Sequence, residues 1–304
     1  MALDLRGCGT ALVTPFRRDG SLDDKALRRL VQFQLNEGID FLVPCGTTGE
    51  TPTLEHGEYL AVLRLVIGEV ARRVPVVAGV GGNNTRHVVE SAREVAGLGV
   101  QAILSVAPYY NKPTQEGLYQ HFKTIAQSVS VPVVLYNVPG RTSSNIEPAT
   151  VARLAEIPNI IGIKEASGSI VQQMEVLRAV RADFRVLSGD DAFTLPLIAA
   201  GGVGVISVAS NEIPGPMTRL TRLCLEGKFT EARKLNADLL PLMQANFIET
   251  SPIPVKAALA MMGLIEEVYR LPLVPLRPEN RAKLEKVLVA QGCLQGQKVK
   301  ELSH

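Results

Sequence analysis

The sequence contains 304 residues, and its 32 lysines and arginines nearly balance its 30 aspartates and glutamates, which gives a formal net charge of +2. This balance offers no electrostatic case for binding nucleic acid or an anionic membrane surface. Hydrophobic residues make up 46% of the chain and charged residues 20%. Such a composition is typical of a globular protein with a large packed core and little disorder.

Signals for targeting and for metal binding are missing from the sequence. The N-terminal stretch MALDLRGCGT has no basic region followed by an apolar run, and no window approaches the roughly 18 apolar residues of a membrane span. We therefore expect a cytoplasmic protein. The four cysteines form no CxxC pair and the four histidines no HExxH motif, so neither a disulfide framework nor a metal site is predicted.

Short runs rich in β-branched residues alternate with helical patterns along the first two thirds of the chain. Stretches such as LDDKALRRLVQFQLNEG and RHVVESAREVAGLG place apolar residues at i, i+3, i+4 and i+7, which predicts helices with one buried face. The eight predicted strands are TALVTP near residue 10, DFLVPCG near 40, PVVAGV near 75, QAILSVAP near 101, PVVLYN near 132, NIIGIK near 159, RVLSGD near 185 and VGVISVAS near 203.

This alternation predicts an α/β fold with parallel strands covered on both faces. Eight such strands favour a closed (β/α)8 TIM barrel, which typically needs about 250 residues. An open doubly wound sheet is the alternative, but the position of its GxGxxG fingerprint reads TPFRRDG. After the eighth strand only helices are predicted, so we expect a barrel over residues 1–227 and a helical C-terminal extension over 228–304 that packs against the barrel or a neighbouring subunit.

Two residues at predicted strand ends suggest chemistry, because the active site of such a barrel lies where its strands end. Lys164 closes the sixth strand, and an amine held among apolar strands is disfavoured as an ammonium and can attack a carbonyl carbon to form a Schiff base. Tyr136, at the end of the fifth strand, can transfer protons beside it. The plainer interpretations are a lysine whose stem leaves the core and an aromatic cap on the barrel.

Other strand ends offer groups that could bind a small acid. The GTTGE motif at 46–50 supplies two hydroxyls and flexible backbone amides, although Thr47 or Thr48 could simply cap a helix. Arg141, in YNVPGRT, could present its guanidinium to a carboxylate, although an arginine at a loop tip is often only solvated.

Seven motifs in this order resemble the dihydrodipicolinate synthase family: GTTGE, PYYNKPTQEGLYQHF, YNVPGRT, GIKEASG, LSGDD, GVISV and SPIPVK. The resemblance extends from near residue 7 to about residue 290. It implies a pyruvate-dependent class I aldolase that condenses pyruvate with L-aspartate 4-semialdehyde, on the route to diaminopimelate and lysine. No cofactor is implied, because the covalent intermediate is a Schiff base on the enzyme itself.

The resemblance also implies roles for individual residues. Lys164 matches the Schiff-base lysine, Tyr136 the general acid and base, and Thr47 the hydroxyl of its proton relay. Tyr110 matches a second phenol, which in the family reaches across a subunit interface into the neighbouring site. An oligomer is therefore expected, and the family is usually a homotetramer built as a dimer of tight dimers.

Three further positions match residues that bind the substrates in the family. Thr48 corresponds to the residue that binds the pyruvate carboxylate, and Arg141 to the one that steadies the semialdehyde. Ile206 corresponds to a backbone contact near the pyruvyl group.

Many family members are inhibited by lysine, and the residues of that regulatory site are only partly present. Asn83, Tyr109 and His56 match it. His87 stands where lysine-sensitive members often carry a glutamate, and Tyr59 replaces a frequent histidine. Because the carboxylate that would pair with the effector's ammonium is missing, strong lysine feedback is not expected.

Two rival functions stay open at the level of sequence. N-acetylneuraminate lyases and keto-deoxy sugar acid aldolases share the lysine and the tyrosine, although Arg141 and the paired threonines favour the synthase. A barrel that only binds small ligands or proteins would need no nucleophilic amine at position 164.

Overall fold

The computed structural model of the protein describes residues 3–294. Residues 1–2 and 295–304 lie outside the described residues, and the latter include the end of the expected C-terminal extension.

Eight parallel strands form the centre of the molecule, in the order β2-β1-β8-β7-β6-β5-β4-β3. A parallel bridge between Leu42 and Val76 joins the two ends of this order, and the N–H of Gly79 donates to the carbonyl of Pro44 at 3.0 Å. The strands therefore close into a barrel, as predicted. Their bounds are β1 Gly7–Ala11, β2 Phe41–Val43, β3 Val77–Gly79, β4 Ala102–Val106, β5 Val133–Asn137, β6 Ile160–Glu165, β7 Arg185–Ser188 and β8 Gly204–Ser207.

Helices follow the strands and form the outer layer, and several begin at side chains that cap their free N–H groups. Asp23 accepts a hydrogen bond from Ala26 N at 3.0 Å and Thr114 from Gly117 N at 3.3 Å. The helices are α1 Asp24–Asn36, α2 His56–Val70, α3 Thr85–Ala96, α4 Gln115–Ser128, α5 Pro139–Thr142, α6 Pro148–Ala155, α7 Ile170–Ala179, α8 Thr194–Ala199, α9 Pro214–Leu225, α10 Phe229–Ala245, α11 Ile253–Met261 and α12 Pro278–Ala290.

The apolar core consists of two clusters, one inside the barrel and one between the barrel and the surrounding helices. Phe41, Leu104, Val134 and Leu187 fill the interior together with Tyr136. This interior is so tightly packed that a Cβ at Gly9 would lie 2.0 Å from the Phe41 ring. The strand residues that alternate with these side chains pack against the surrounding helices in the larger outer cluster.

The C-terminal helices α10, α11 and α12 share that outer cluster with the barrel. Leu242, Leu259 and Leu284 are all fully buried in it, as is Val31 of α1. The described part of the extension is therefore helical and packs on the barrel, which confirms the predicted fold class, while the boundary at 227/228 stays a prediction. No helix of residues 3–294 is both long and apolar enough to cross a membrane.

Candidate active site

Lys164 and Tyr136 are opposite one another on neighbouring strands. In the parallel ladder between β5 and β6, Tyr136 is in register with Lys164 and Asn137 with Glu165. Partners in register point to the same face of a sheet, so both functional groups enter the barrel mouth. Lys164 Nζ lies 4.4 Å from the centroid of the Tyr136 ring, and the two residues are only 5% and 7% exposed.

A cavity of about 180 Å³ surrounds the amine at the ends of the strands. It brings together five residues that the sequence had singled out. Its lining comprises Thr47, Thr48, Tyr136, Val138, Gly140, Arg141, Lys164, Ala166, Ser167, Gly168, Gly189, Asp190, Val208, Phe247 and Ser251.

The two threonines of GTTGE do not cap a helix through their side chains. They begin a short 3₁₀ helix, Thr47–Gly49, whose cap is Gly46. Thr47 is exposed and Thr48 is 5% exposed, and both border the Lys164 cavity. The simple capping interpretation of these threonines was therefore wrong.

Arg141 lies in the short helix α5 and is more than a solvated loop residue. Its side chain is largely exposed, but Nη2 donates a hydrogen bond to the carbonyl of Ser251 at 3.1 Å. Since Arg141 and Ser251 both border the cavity, the C-terminal extension also contributes to its wall.

Tyr110 and Ile206 lie outside this cavity. Tyr110 is 88% exposed and has a left-handed backbone with φ of 73°. Ile206 of β8 is 1% exposed and packs in the barrel interior, in the same apolar cluster as Tyr136. The single chain therefore assembles five of the seven predicted site residues around one cavity.

A second cavity of about 410 Å³ adjoins the first, and both are lined by Thr47, Tyr136, Val138 and Arg141. Its wall is mainly apolar and includes Tyr109, the residue before the exposed Tyr110. A small polar substrate at Lys164 therefore has a neighbouring compartment at the barrel mouth.

Sequence reasoning noted the motif SGDD but assigned no role to its residues. Gly189 leaves room for the Lys164 side chain, because a Cβ at position 189 would lie only 3.0 Å from Lys164 Cε. Asp190 borders the cavity. Burial raises the pKa of Asp190, and the N–H of Ala192 and the positive charge of Lys164 oppose this rise.

Glu165, the residue after Lys164, was also missed. It is fully buried on the opposite side of β6. Its carboxylate accepts hydrogen bonds from Ser167 N at 2.6 Å, Asn137 Nδ2 at 3.0 Å and Gln172 Nε2 at 3.1 Å. Because Asn137 directly follows Tyr136, these bonds fix the ends of the two strands that carry the amine and the phenol.

A buried ion pair joins Glu50, the last residue of GTTGE, to Lys256. Burial lowers the pKa of Lys256, and the negative charge of Glu50 opposes this effect. Nothing in the sequence indicates this contact, because the two residues are 206 positions apart.

Two side chains at positions of the family's lysine site, the matching His56 and the differing Tyr59, already contact other residues. His56 Nε2 lies 3.2 Å from Glu94. The hydroxyl of Tyr59 donates to the carbonyl of Gly79 at 2.9 Å, and burial raises the pKa of that hydroxyl.

Comparison with known proteins gives a consistent result over nearly the whole chain. The profile of the dihydrodipicolinate synthetase family matches residues 4–291. A protein of Koribacter versatilis named 4-hydroxy-tetrahydrodipicolinate synthase is 61% identical over 293 residues, which cover 96% of this chain and 98% of that protein. Its namesake in Acidobacterium capsulatum is 54% identical and covers 96% and 97%.

Solved structures also resemble the chain over nearly its whole length. The chloride-inhibited dihydrodipicolinate synthase of Acinetobacter baumannii, crystallised in complex with pyruvate, superposes with a TM-score of 0.94 at 42% identity, over 96% of this chain and 100% of that one. The structure of the 4-hydroxy-tetrahydrodipicolinate synthase of Methylacidiphilum fumariolicum SolV gives a TM-score of 0.94 at 47% identity, over 95% and 96%. The family profile covers residues 4–291, and the barrel with its buried lysine is consistent with it. This chain therefore belongs to the dihydrodipicolinate synthetase family.

Proposed function

We propose that this chain is a 4-hydroxy-tetrahydrodipicolinate synthase that condenses pyruvate with L-aspartate 4-semialdehyde through a Schiff base on Lys164. The observation that carries this proposal is the buried amine, 4.4 Å from the Tyr136 ring centroid and facing a cavity at the strand ends. The names of relatives at 54% to 61% identity support the choice of substrates.

In the proposed reaction, Lys164 Nζ attacks the C2 carbonyl carbon of pyruvate, and the carbinolamine loses water to give the imine. Loss of a proton from C3 then gives an enamine, because the iminium accepts the electron pair of the broken C–H bond. The enamine carbon attacks the aldehyde carbon of the semialdehyde, and the new alkoxide takes up a proton. The amino group of the semialdehyde then adds to the iminium carbon, a proton passes from that nitrogen to Nζ, and the C–Nζ bond breaks, which closes the ring of the product and frees Lys164. We assign these proton transfers to the hydroxyls of Tyr136 and Thr47, because both residues border the cavity with Lys164.

Substrate carboxylates would be bound by groups at the rim of the same cavity. Thr48 and the amides of its loop would bind the pyruvate carboxylate, and the Arg141 guanidinium would bind that of the semialdehyde, since both residues border the cavity. Ile206 would contribute only its backbone, since its side chain is packed in the barrel interior. Because Lys164 supplies the electron sink, the proposed reaction uses no cofactor and no metal.

We further propose a homotetramer, arranged as a dimer of dimers, in which Tyr110 enters the site of a neighbouring subunit. Tyr110 is 88% exposed and directly follows Tyr109, which lines the second cavity, so its ring is available for contact with a neighbouring subunit. The number of subunits rests on the family resemblance. A cytoplasmic location stays a prediction from the sequence.

Trapping the Schiff base tests the proposed function. Borohydride reduction in the presence of pyruvate should add one pyruvyl-derived group to Lys164, detected by peptide mass mapping, and Lys164→Met is the matched control. An unmodified Lys164 would exclude the synthase and the sugar acid aldolases together. Steady-state assays then compare aspartate semialdehyde with N-acetylneuraminate and keto-deoxy sugar acids, and faster turnover of a sugar acid would overturn the choice of substrate.

A further inference from the structure

An ion pair buried beside the proposed site joins two residues to which the proposed function assigns no role. Glu50 ends the GTTGE motif and Lys256 ends SPIPVK. Both side chains are 0% exposed, and the Lys256 ammonium donates a hydrogen bond to Glu50 Oε1. Since water reaches neither group, each charge depends on the other for compensation.

Groups from separate segments enclose this pair. Lys256 Nζ lies 4.3 Å from the centroid of the Phe16 ring and 5.4 Å from that of Tyr269. The second carboxylate oxygen of Glu50 accepts a hydrogen bond from Arg270 N at 3.3 Å. The carboxylate is thus held from two places in the C-terminal extension.

Glu50 is also the residue at which the GTTGE loop turns. Its backbone is left-handed, with φ of 51° and ψ of 33°, and its N–H donates to the carbonyl of Thr47 at 3.2 Å. A residue with a side chain keeps this conformation only where its surroundings hold it. The anchored carboxylate supplies such a constraint, and Thr47 and Thr48, three and two residues before it in the same loop, border the Lys164 cavity.

We infer that the Lys256–Glu50 pair is a positioning device, through which the C-terminal extension holds Thr47 and Thr48 in their places at the cavity. This inference rests on the proposed function. Stability alone is a weak reason for a buried ion pair, because apolar residues of similar volume often stabilise a core as well or better. An oriented hydrogen bond, in contrast, fixes the direction of the loop.

The test compares Lys256→Met with the double variant Glu50→Leu/Lys256→Met in the full-length chain. Both should lose kcat/KM for pyruvate by about 10- to 100-fold, because small misplacements of binding and relay groups are costly. The apolar double variant should recover most of the Tm that Lys256→Met loses. Both should still form the borohydride adduct on Lys164 at saturating pyruvate. Lys228→Met, which breaks an exposed pair with Glu226, is the control and should keep wild-type kinetics.

A conservative variant tests whether an acceptor at position 50 is enough to retain activity. Glu50→Gln keeps an oxygen acceptor for Lys256 and should lose less kcat/KM than the double variant. Recovery of both Tm and kcat/KM in the double variant would reduce the pair to a stabilising contact, and wild-type kinetics in Lys256→Met would also overturn the inference. If Lys256→Met does not fold, the double variant and Glu50→Gln decide. A wild-type chain that forms neither adduct nor condensation product overturns the proposed function, and the inference with it.

Discussion

Two lysine side chains are buried among the described residues, and their surroundings differ sharply. Lys256 is 0% exposed and ion-paired with Glu50, with its ammonium over the Phe16 ring. Lys164 is 5% exposed, has no ion pair with another described residue, and faces a cavity of about 180 Å³ beside the Tyr136 ring. One amine is fully enclosed, whereas the other has space in front of it for a reactant.

This contrast shows that burial alone does not make a lysine a nucleophile. Lys256 donates a hydrogen bond to the Glu50 carboxylate and is 0% exposed, so it is unavailable to a carbonyl compound. Lys164 combines desolvation with access, which is what attack on a keto acid requires. The two sites nevertheless meet at GTTGE, since its threonines border one amine and its glutamate pairs with the other.

The largest expected effect comes from changing each lysine to methionine. Lys164→Met should lower turnover by at least about 10³-fold, because no other group can form the imine, while the free energy of unfolding stays the same or rises. Lys256→Met should cost about 3–5 kcal/mol of unfolding free energy, since it leaves the Glu50 carboxylate buried without its partner. Urea denaturation and steady-state assays on both variants measure this. Equal losses of stability would remove the distinction between the two sites.

Tyr136→Phe should have a smaller effect on catalysis. The ring packing next to Lys164 is kept and only the hydroxyl is lost, so kcat should fall by about 10²-fold while the fold is retained. Circular dichroism and kcat measurements on the same preparation test both parts. A variant with wild-type kcat would show that the phenol supports the lysine through its ring alone.

The smallest expected effect concerns the pH dependence of stability at Glu212, a buried acid without a lysine partner. Glu212 is 2% exposed, accepts a hydrogen bond from Asn246 Nδ2 at 2.7 Å, and has a pKa raised well above its ordinary value by burial. Because the folded chain holds this proton more tightly than the unfolded chain, Glu212 favours folding at low pH, and this contribution is lost as pH rises above 4.5 through the raised pKa.

Glu212→Gln removes that titration and keeps a neutral side chain of the same shape. It should therefore be close to wild type at pH 5 and more stable than wild type by about 1 kcal/mol at pH 8. Unfolding in urea at both pH values measures the difference. A stability gap between variant and wild type that does not change with pH would indicate that Glu212 does not titrate in this range.

Much of the architecture could be predicted from local patterns. Seven of the eight strands occur at the β-branched runs that predicted them, because strands covered on both faces must be apolar. The first strand, Gly7–Ala11, begins three residues before the TALVTP run and overlaps it only at Thr10 and Ala11. The motif positions also predicted which strand ends meet, since parallel strands bring their C-terminal ends to one mouth. Lys164, Tyr136, Thr47, Thr48 and Arg141 accordingly border one cavity.

Long-range contacts could not be predicted in this way. Nothing near Lys256 in the sequence indicates that its partner is Glu50, and nothing near Arg141 points to the carbonyl of Ser251. Local periodicity reports which face of an element is buried, but not which distant polar group will meet it there.

The sequence by itself determined the order of strands and helices and the strand-end position of Lys164, because these follow from short-range patterns of apolar residues. It favoured a closed barrel over an open sheet, and the bridge between Leu42 and Val76 decided between them. Only the tertiary structure decided that one lysine faces a cavity and the other a carboxylate. The physical reason is that the cost of burying a charge depends on the groups that surround it in space, and those groups come from segments far apart along the chain.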